Sequence, residues 1–121
     1  MILKTKKTIA HSVHTYLFRT GSWIYSQLVH VKKYHSMVVA TKKQNIEVFP
    51  WDDAYFISDL SSINRFFQKE FAKRTDFYYP CFYRLLKKRK PVIVHSHFGN
   101  RGWFDLKLTE KLGVPQITTF Y

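Results

Sequence analysis

The residue types best suited to chemistry gather in the last third of the chain, where His95-Ser96-His97 is followed by Gly99-Asn100-Arg101-Gly102. A neutral imidazole can donate to a hydroxyl or a phosphate, and it changes charge near neutral pH. A guanidinium such as that of Arg101 can hold an anion in a two-pronged contact. Glycine lets the backbone turn tightly or approach a ligand closely, and the free N–H groups of a following helix favour a phosphate. A second group stands near the amino terminus: His11, His14 and then Arg19-Thr20-Gly21-Ser22. Strand alternation puts His95 and His97 on one face and Ser96 on the other. His97, nearer the carboxyl end, is the first candidate for contact with a reacting group, and His95 the second. Zinc requires three or four converging ligands. His11, His14, His95 and His97 are two pairs with no carboxylate beside either in sequence, so no metal is expected.

Such side chains act only if the chain positions them. The apolar run Val92–His97, the helical pattern Asp105–Leu112 with Gly113 as its stop, and the apolar run Pro115–Phe120 read as strand, loop, helix, strand. That is a right-handed βαβ crossover, the unit of a parallel sheet, and such sheets bind ligands at the carboxyl ends of their strands. The opening strand, residues 8–14, exits through Arg19–Ser22 on the same edge, so His14 and this loop are further cleft candidates. Ser22 is the expected N-cap of a helix over Trp23–Tyr34, whose apolar residues Trp23, Ile24, Leu28 and Val31 recur at helical spacing. No Gly-x-Gly-x-x-Gly pattern is present, which excludes the dinucleotide fingerprint.

Further strands are expected near 36–41 and 46–49, with Ala54–Ile57 either another strand or a buried loop. From Leu60 the spacing of Ile63, Phe66, Phe67 and Phe71 predicts a helix capped by Ser61 or Ser62, with these four side chains as its core face. A helix around 82–89 carries one apolar and one cationic face. The expected fold class is α/β: a three-layer Rossmann-like parallel sheet of about five strands with helices on both faces. The last strand runs straight into Tyr121, so the sheet is expected to be incomplete at its C-terminal edge.

Composition narrows the setting. A chain of 121 residues that is 45% apolar can build one core. No apolar run approaches the roughly 20 residues of a membrane span, no secretory signal is evident, and the lone Cys81 fits a reducing cytoplasm. Twenty Lys and Arg against eight Asp and Glu leave +12. The excess is clumped at Lys4, Lys6 and Lys7 and at Arg84, Lys87, Lys88, Arg89 and Lys90. Such clusters belong either to a solvated helix face or to a surface that attracts a polyanion, nucleic acid or an anionic membrane, and in the second case Arg84–Lys90 would be the anion- or membrane-facing surface.

His95-Ser96-His97-Phe98-Gly99, the helix ending Lys111-Leu112-Gly113-Val114-Pro115, and Ile117-Thr118-Thr119-Phe120-Tyr121 resemble the amino-terminal domain of family-four glycosyltransferases, two-domain enzymes of the GT-B type. The opening strand and Tyr16–Leu28 are similar to the corresponding loop and helix start. The resemblance is good over residues 91–121 and looser elsewhere. It implies a retaining transferase that moves a sugar from a nucleotide-sugar to a polysaccharide or lipid-linked acceptor. The nucleotide-sugar is a co-substrate, and no cofactor is implied. Residues 1–121 would be part of the acceptor-side domain, with the donor-binding domain absent and the fragment inactive alone. It further implies that His97 contacts the reacting sugars, that the loops 19–22 and 99–102 line the cleft, and that the protein is cytoplasmic, peripheral on the inner membrane face. Relatives often carry histidine where Tyr121 stands. The rival reading is a basic α/β module without catalysis that binds nucleic acid or an anionic membrane. Phe66, Phe67, Tyr78, Tyr79 and Tyr83 sit at core spacing rather than as stacking platforms, so nucleic acid is not expected.

Overall fold

A computed structural model describes residues 6–75 and 78–121; of the first basic cluster, Lys4 lies outside the described residues. The chain forms β1 (Thr8–Tyr16), α1 (Ser22–His30), β2 (His35–Lys43), β3 (Ala54–Phe56), a 3₁₀ turn (Ile57–Asp59), α2 (Ser62–Thr75), α3 (Pro80–Arg89), β4 (Ile93–His97), α4 (Gly99–Leu112) and β5 (Gln116–Thr119). All five strands are parallel, in the order β3-β2-β1-β4-β5. This is a Rossmann-like α/β fold. Among the described residues no helix is long and apolar enough to cross a membrane.

The central strands are buried on both faces and therefore read as nearly continuous apolar runs. Val13, Val38 and Ala40 pack with Ile24 and Leu28 of α1. Ala10, Met37, Val39 and Val94 pack on the opposite face with Phe82 and Leu86 of α3 and Leu108 of α4. α3 begins with Pro80 at its first turn, where the missing N–H costs nothing. It ends at Lys90 in the left-handed region (φ 52°) before Pro91. Gly113 closes α4 at φ 68°, a conformation open to a residue without Cβ. The Ser61 hydroxyl accepts from the Asn64 N–H at 3.3 Å and so caps α2.

Several expectations give way to tertiary structure. Residues 46–49 are a turn: the N–H groups of Val48 and Phe49 both donate to Asn45 O, and Asn45 adopts φ 52°. Phe49 is buried and Val48 exposed, so an alternation that mimics a strand arises from a tight turn with one anchored ring. The third strand is Ala54–Phe56. α1 stops at His30 because His35 already pairs with Thr8 in the sheet, leaving the intervening residues as connection. Ser22 is the first helical residue; Gly21 occupies the cap position, with no side-chain bond. α4 starts at Gly99 instead of Asp105, so the expected glycine loop is its first turn. The side chains of Ile63, Phe66 and Phe67 face outward, and Phe71, partly exposed, packs its ring on Tyr78, so the four form no core face together; among the described side chains of α2 the buried ones are Gln68 and Ala72. Tyr78 and Tyr79 are buried as expected.

Candidate functional site at the reversal of strand order

The chain leaves β1 toward β2 and β3 on one side, then returns across the sheet to β4 on the other. The seam between β1 and β4 is therefore the point where an open α/β sheet binds ligands at its carboxyl rim. Three histidines line that seam on the α1 face. Register sets His11 beside His95, and His97 follows two residues on, at the end of β4. His11 Nδ1 and His97 Nε2 are hydrogen-bonded at 3.0 Å, and the His95 and His97 rings stack at 4.2 Å.

The outer nitrogens are also engaged. His11 Nε2 meets Ser36 Oγ at 3.3 Å, His97 Nδ1 meets the Tyr121 hydroxyl at 2.8 Å, and His95 Nε2 meets Thr119 Oγ1 at 2.6 Å. A continuous chain of hydrogen bonds thus runs from Tyr121 through His97 and His11 to Ser36. Burial, reinforced by the neighbouring imidazoles, lowers the pKa of His97 to about 2 and that of His11 to about 3. Burial lowers that of His95 as well. All three rings are neutral at pH 7, each with one N–H and one lone pair. The cluster can donate to and accept from hydroxyl groups; it does not present a cation.

The same three histidines bring donor nitrogens within 4.8 Å of one another. Three imidazoles are the minimum protein ligand set of an open zinc site. As arranged, the His11 and His97 rings lie nearly parallel (17°) and bond nitrogen to nitrogen. An ion would have to break that bond and turn the rings toward a common point.

The loop after β1 reaches the same rim. Phe18 contacts Phe98 and Trp23, and Trp23 and Phe98 each contact Tyr121, with centroids 4.9–5.9 Å apart. This aromatic cluster bridges the Arg19–Ser22 loop to the end of β4. Arg19 and Thr20 are exposed on it and Gly21 is buried. Phe98, between His97 and α4, has φ 79° and ψ 146°, a region that essentially only glycine occupies without strain.

Other expected site residues part company with this rim. His14 is exposed on the opposite face, where burial and then the positive charges of Arg101, Lys42 and Lys69 lower its pKa. Arg101 is buried on that same face: Nε donates to Ser12 Oγ (2.8 Å), Nη1 to Thr41 Oγ1 (3.2 Å), and Nε lies 3.8 Å from Asp105. It is an internal strut tying α4 to β1 and β2, and it does not reach an anion in the cleft. Asn100, exposed, uses Oδ1 to accept from the Arg101 N–H. Gly99 and Gly102 face the protein: a Cβ would stand 2.4 Å from the Phe120 ring at Gly99 and 2.5 Å from Thr118 at Gly102. These glycines let the first turn of α4 seat on β5, and close approach to a ligand is not what they provide. In the second basic cluster Arg84, Lys87, Lys88 and Lys90 are exposed, whereas Arg89 is held by Asp53 through two bonds of 2.8 and 2.6 Å.

Sequence reasoning weighed His11 only as a metal ligand and gave Tyr121, Ser36 and Thr119 no part in the site. The signal for His11 was its strand parity with Val13, but it becomes meaningful only once β1 and β4 are known to be neighbours. Comparison with family models, curated protein sequences and solved structures found no match.

Proposed function

We propose that this chain is the acceptor-side portion of a retaining GT-B glycosyltransferase, which moves a sugar from a nucleotide-sugar to a polysaccharide or lipid-linked acceptor at the cytoplasmic face of a membrane. The observation that carries the reading is the meeting of His97, the β1–α1 loop and the aromatic cluster at the reversal of strand order. The resemblance of residues 91–121 supplies the reaction class. A sugar hydroxyl that takes the place of the Tyr121 hydroxyl would meet His97 Nδ1, with His11 and Ser36 behind it setting which nitrogen carries the proton. A neutral ring suits that task, because it orients a hydroxyl by accepting or donating a hydrogen bond while carrying no charge of its own. The exposed Arg19 and Thr20 would face the donor phosphates across the cleft, where fixed positive groups stabilise a departing nucleotide. Catalysis would rest on holding the two sugars in register.

The test begins with the DNA beyond codon 121. An in-frame continuation encoding a second Rossmann-like half supports the proposal, and an immediate stop codon overturns it in favour of a stand-alone binder. The continued protein should transfer sugar from at least one of a panel of UDP- and GDP-sugars. His97→Ala should lower kcat by roughly 100-fold, and because it also removes a buried ring bonded to His11, the rates are compared at a temperature where circular dichroism shows both chains folded. Activity that survives His97→Ala would remove the histidine from the reaction. The 121-residue chain alone should show no turnover.

A further inference from the structure

α2 presents an apolar stripe to solvent. Ile63 (71%), Phe66 (59%), Phe67 (63%) and Phe71 (39%) are all exposed, and their i, i+3, i+4 spacing aligns them along one side of the helix. Three phenylalanines and an isoleucine on one exposed helix exceed the scattered apolar residues of an ordinary surface. At about 100° per residue, Lys73 lies at the margin of the stripe beside Phe66 and Lys69 one step beyond it, both exposed, while Glu70 and Arg74 fall within the stripe. The only acid on the helix, Glu70, is bound by Arg74 at 3.1 Å, so the face carries no uncompensated negative charge. The chain around it is +12.

We infer that α2 is a membrane-docking helix: it lies in the plane of an anionic bilayer, with the Ile63, Phe66, Phe67 and Phe71 side chains among the acyl chains and Lys69 and Lys73 among the headgroups. An apolar stripe with lysines at its margin is the pattern of an interfacial helix, since the long lysine stems carry their charge up to the headgroup level. The cationic side chains of α3, Arg84, Lys87 and Lys88, add long-range attraction but no stripe, because the apolar residues Phe82 and Leu86 of that helix are buried. The inference deepens the proposed function where the acceptor is lipid-linked, yet it rests on the surface alone.

Flotation of the 121-residue chain with vesicles of phosphatidylcholine and phosphatidylglycerol in equal parts, against pure phosphatidylcholine, tests it without any sugar. Binding is expected only to the anionic vesicles, weakening as salt screens the lysines. Phe66→Ser with Phe67→Ser should lower the apparent affinity by about tenfold or more, and Lys69→Glu with Lys73→Glu by about tenfold. Phe66→Trp should show blue-shifted emission on binding, measured against the Phe66→Trp chain without vesicles. Absence of binding to anionic vesicles would overturn the inference. So would undiminished binding by the double Ser variant, or sedimentation showing that the stripe seals a dimer lost in that variant. Tight binding to a generic oligonucleotide with none to vesicles would overturn it in favour of nucleic acid. Vesicle binding without sugar transfer by the continued protein would defeat only the proposed function, and transfer without vesicle binding only this inference.

Discussion

The two faces of β4 solve the problem of buried polar groups in opposite ways. On the α1 face His95 and His97 are kept neutral and linked to uncharged partners, ending at the half-exposed Tyr121. On the other face Ser96 donates to Asp105 at 2.6 Å, Gln116 donates to Ser96 and to Gly102 O, and Arg101 lies against Asp105, Ser12 and Thr41. One network leads to the rim and can exchange a partner there. The other is buried around charge, with Arg101 Nη2 left without a hydrogen-bond partner among the described residues, and holds α4 and β5 to the sheet. A single strand thus separates a candidate site from its scaffold by nothing more than alternation.

The sharpest way to break the contrast is to remove charge from the scaffold face. Asp105→Ala leaves the Arg101 guanidinium, which cannot deprotonate, buried without its carboxylate; a loss of about 3–5 kcal/mol is expected in denaturant unfolding. Arg101→Met should cost less, because burial already raises the pKa of Asp105 and the carboxyl can take up a proton. Equal losses would mean that the two groups do not act as an ion pair.

Acid should then find the histidine face. The folded pKa of His11 is about 3, and an unfolded histidine titrates near 6.5. Between those values the unfolded chain binds the extra proton, so stability is greatest above pH 6.5 and falls as pH drops through this window. The slope is about 1.4 kcal/mol per pH unit, or roughly 3 kcal/mol from pH 6.5 to 4.5. In His11→Asn that pH dependence should be lost, so the native-minus-variant difference should change by about the same amount across this window. A parallel pH profile would show that the ring does not titrate with unfolding.

The smallest expected effect lies where α4 seats on β5 on the scaffold face. Gly102→Ala puts a Cβ 2.5 Å from the Thr118 side chain, and about 1–3 kcal/mol should be lost. Thr118→Ala in the same chain should recover most of it, because the obstructing atoms are Cγ2 and Oγ1. Additive losses would place the strain elsewhere.

Much of this architecture was legible in the residues. The βαβ unit, the helix stop at Gly113, the capping serine Ser61 and the pairing of His95 with His97 on one face all follow from periods of two and 3.6 and from single-residue stereochemistry. What misled was local pattern with a second explanation. Ile46–Phe49 alternates because a turn buries one ring, and Phe66 with Phe67 imitates a core stripe although the core lies beneath Gln68 and Ala72. Gly99 and Gly102 suggested a ligand loop, but the space they leave is filled by Thr118 of β5 and by Phe120 just beyond it, both later in the chain.

The sequence by itself determined the parallel α/β class, the order of its main elements and the parity of each strand residue, since those depend on backbone geometry and nearest neighbours. Tertiary structure alone decided that His11 joins His95 and His97, that Arg101 is a strut, and that α2 turns its aromatics outward. Those outcomes depend on which strands become neighbours and which helix side meets the sheet, and contacts between residues as far apart as His11 and His97 have no local signature.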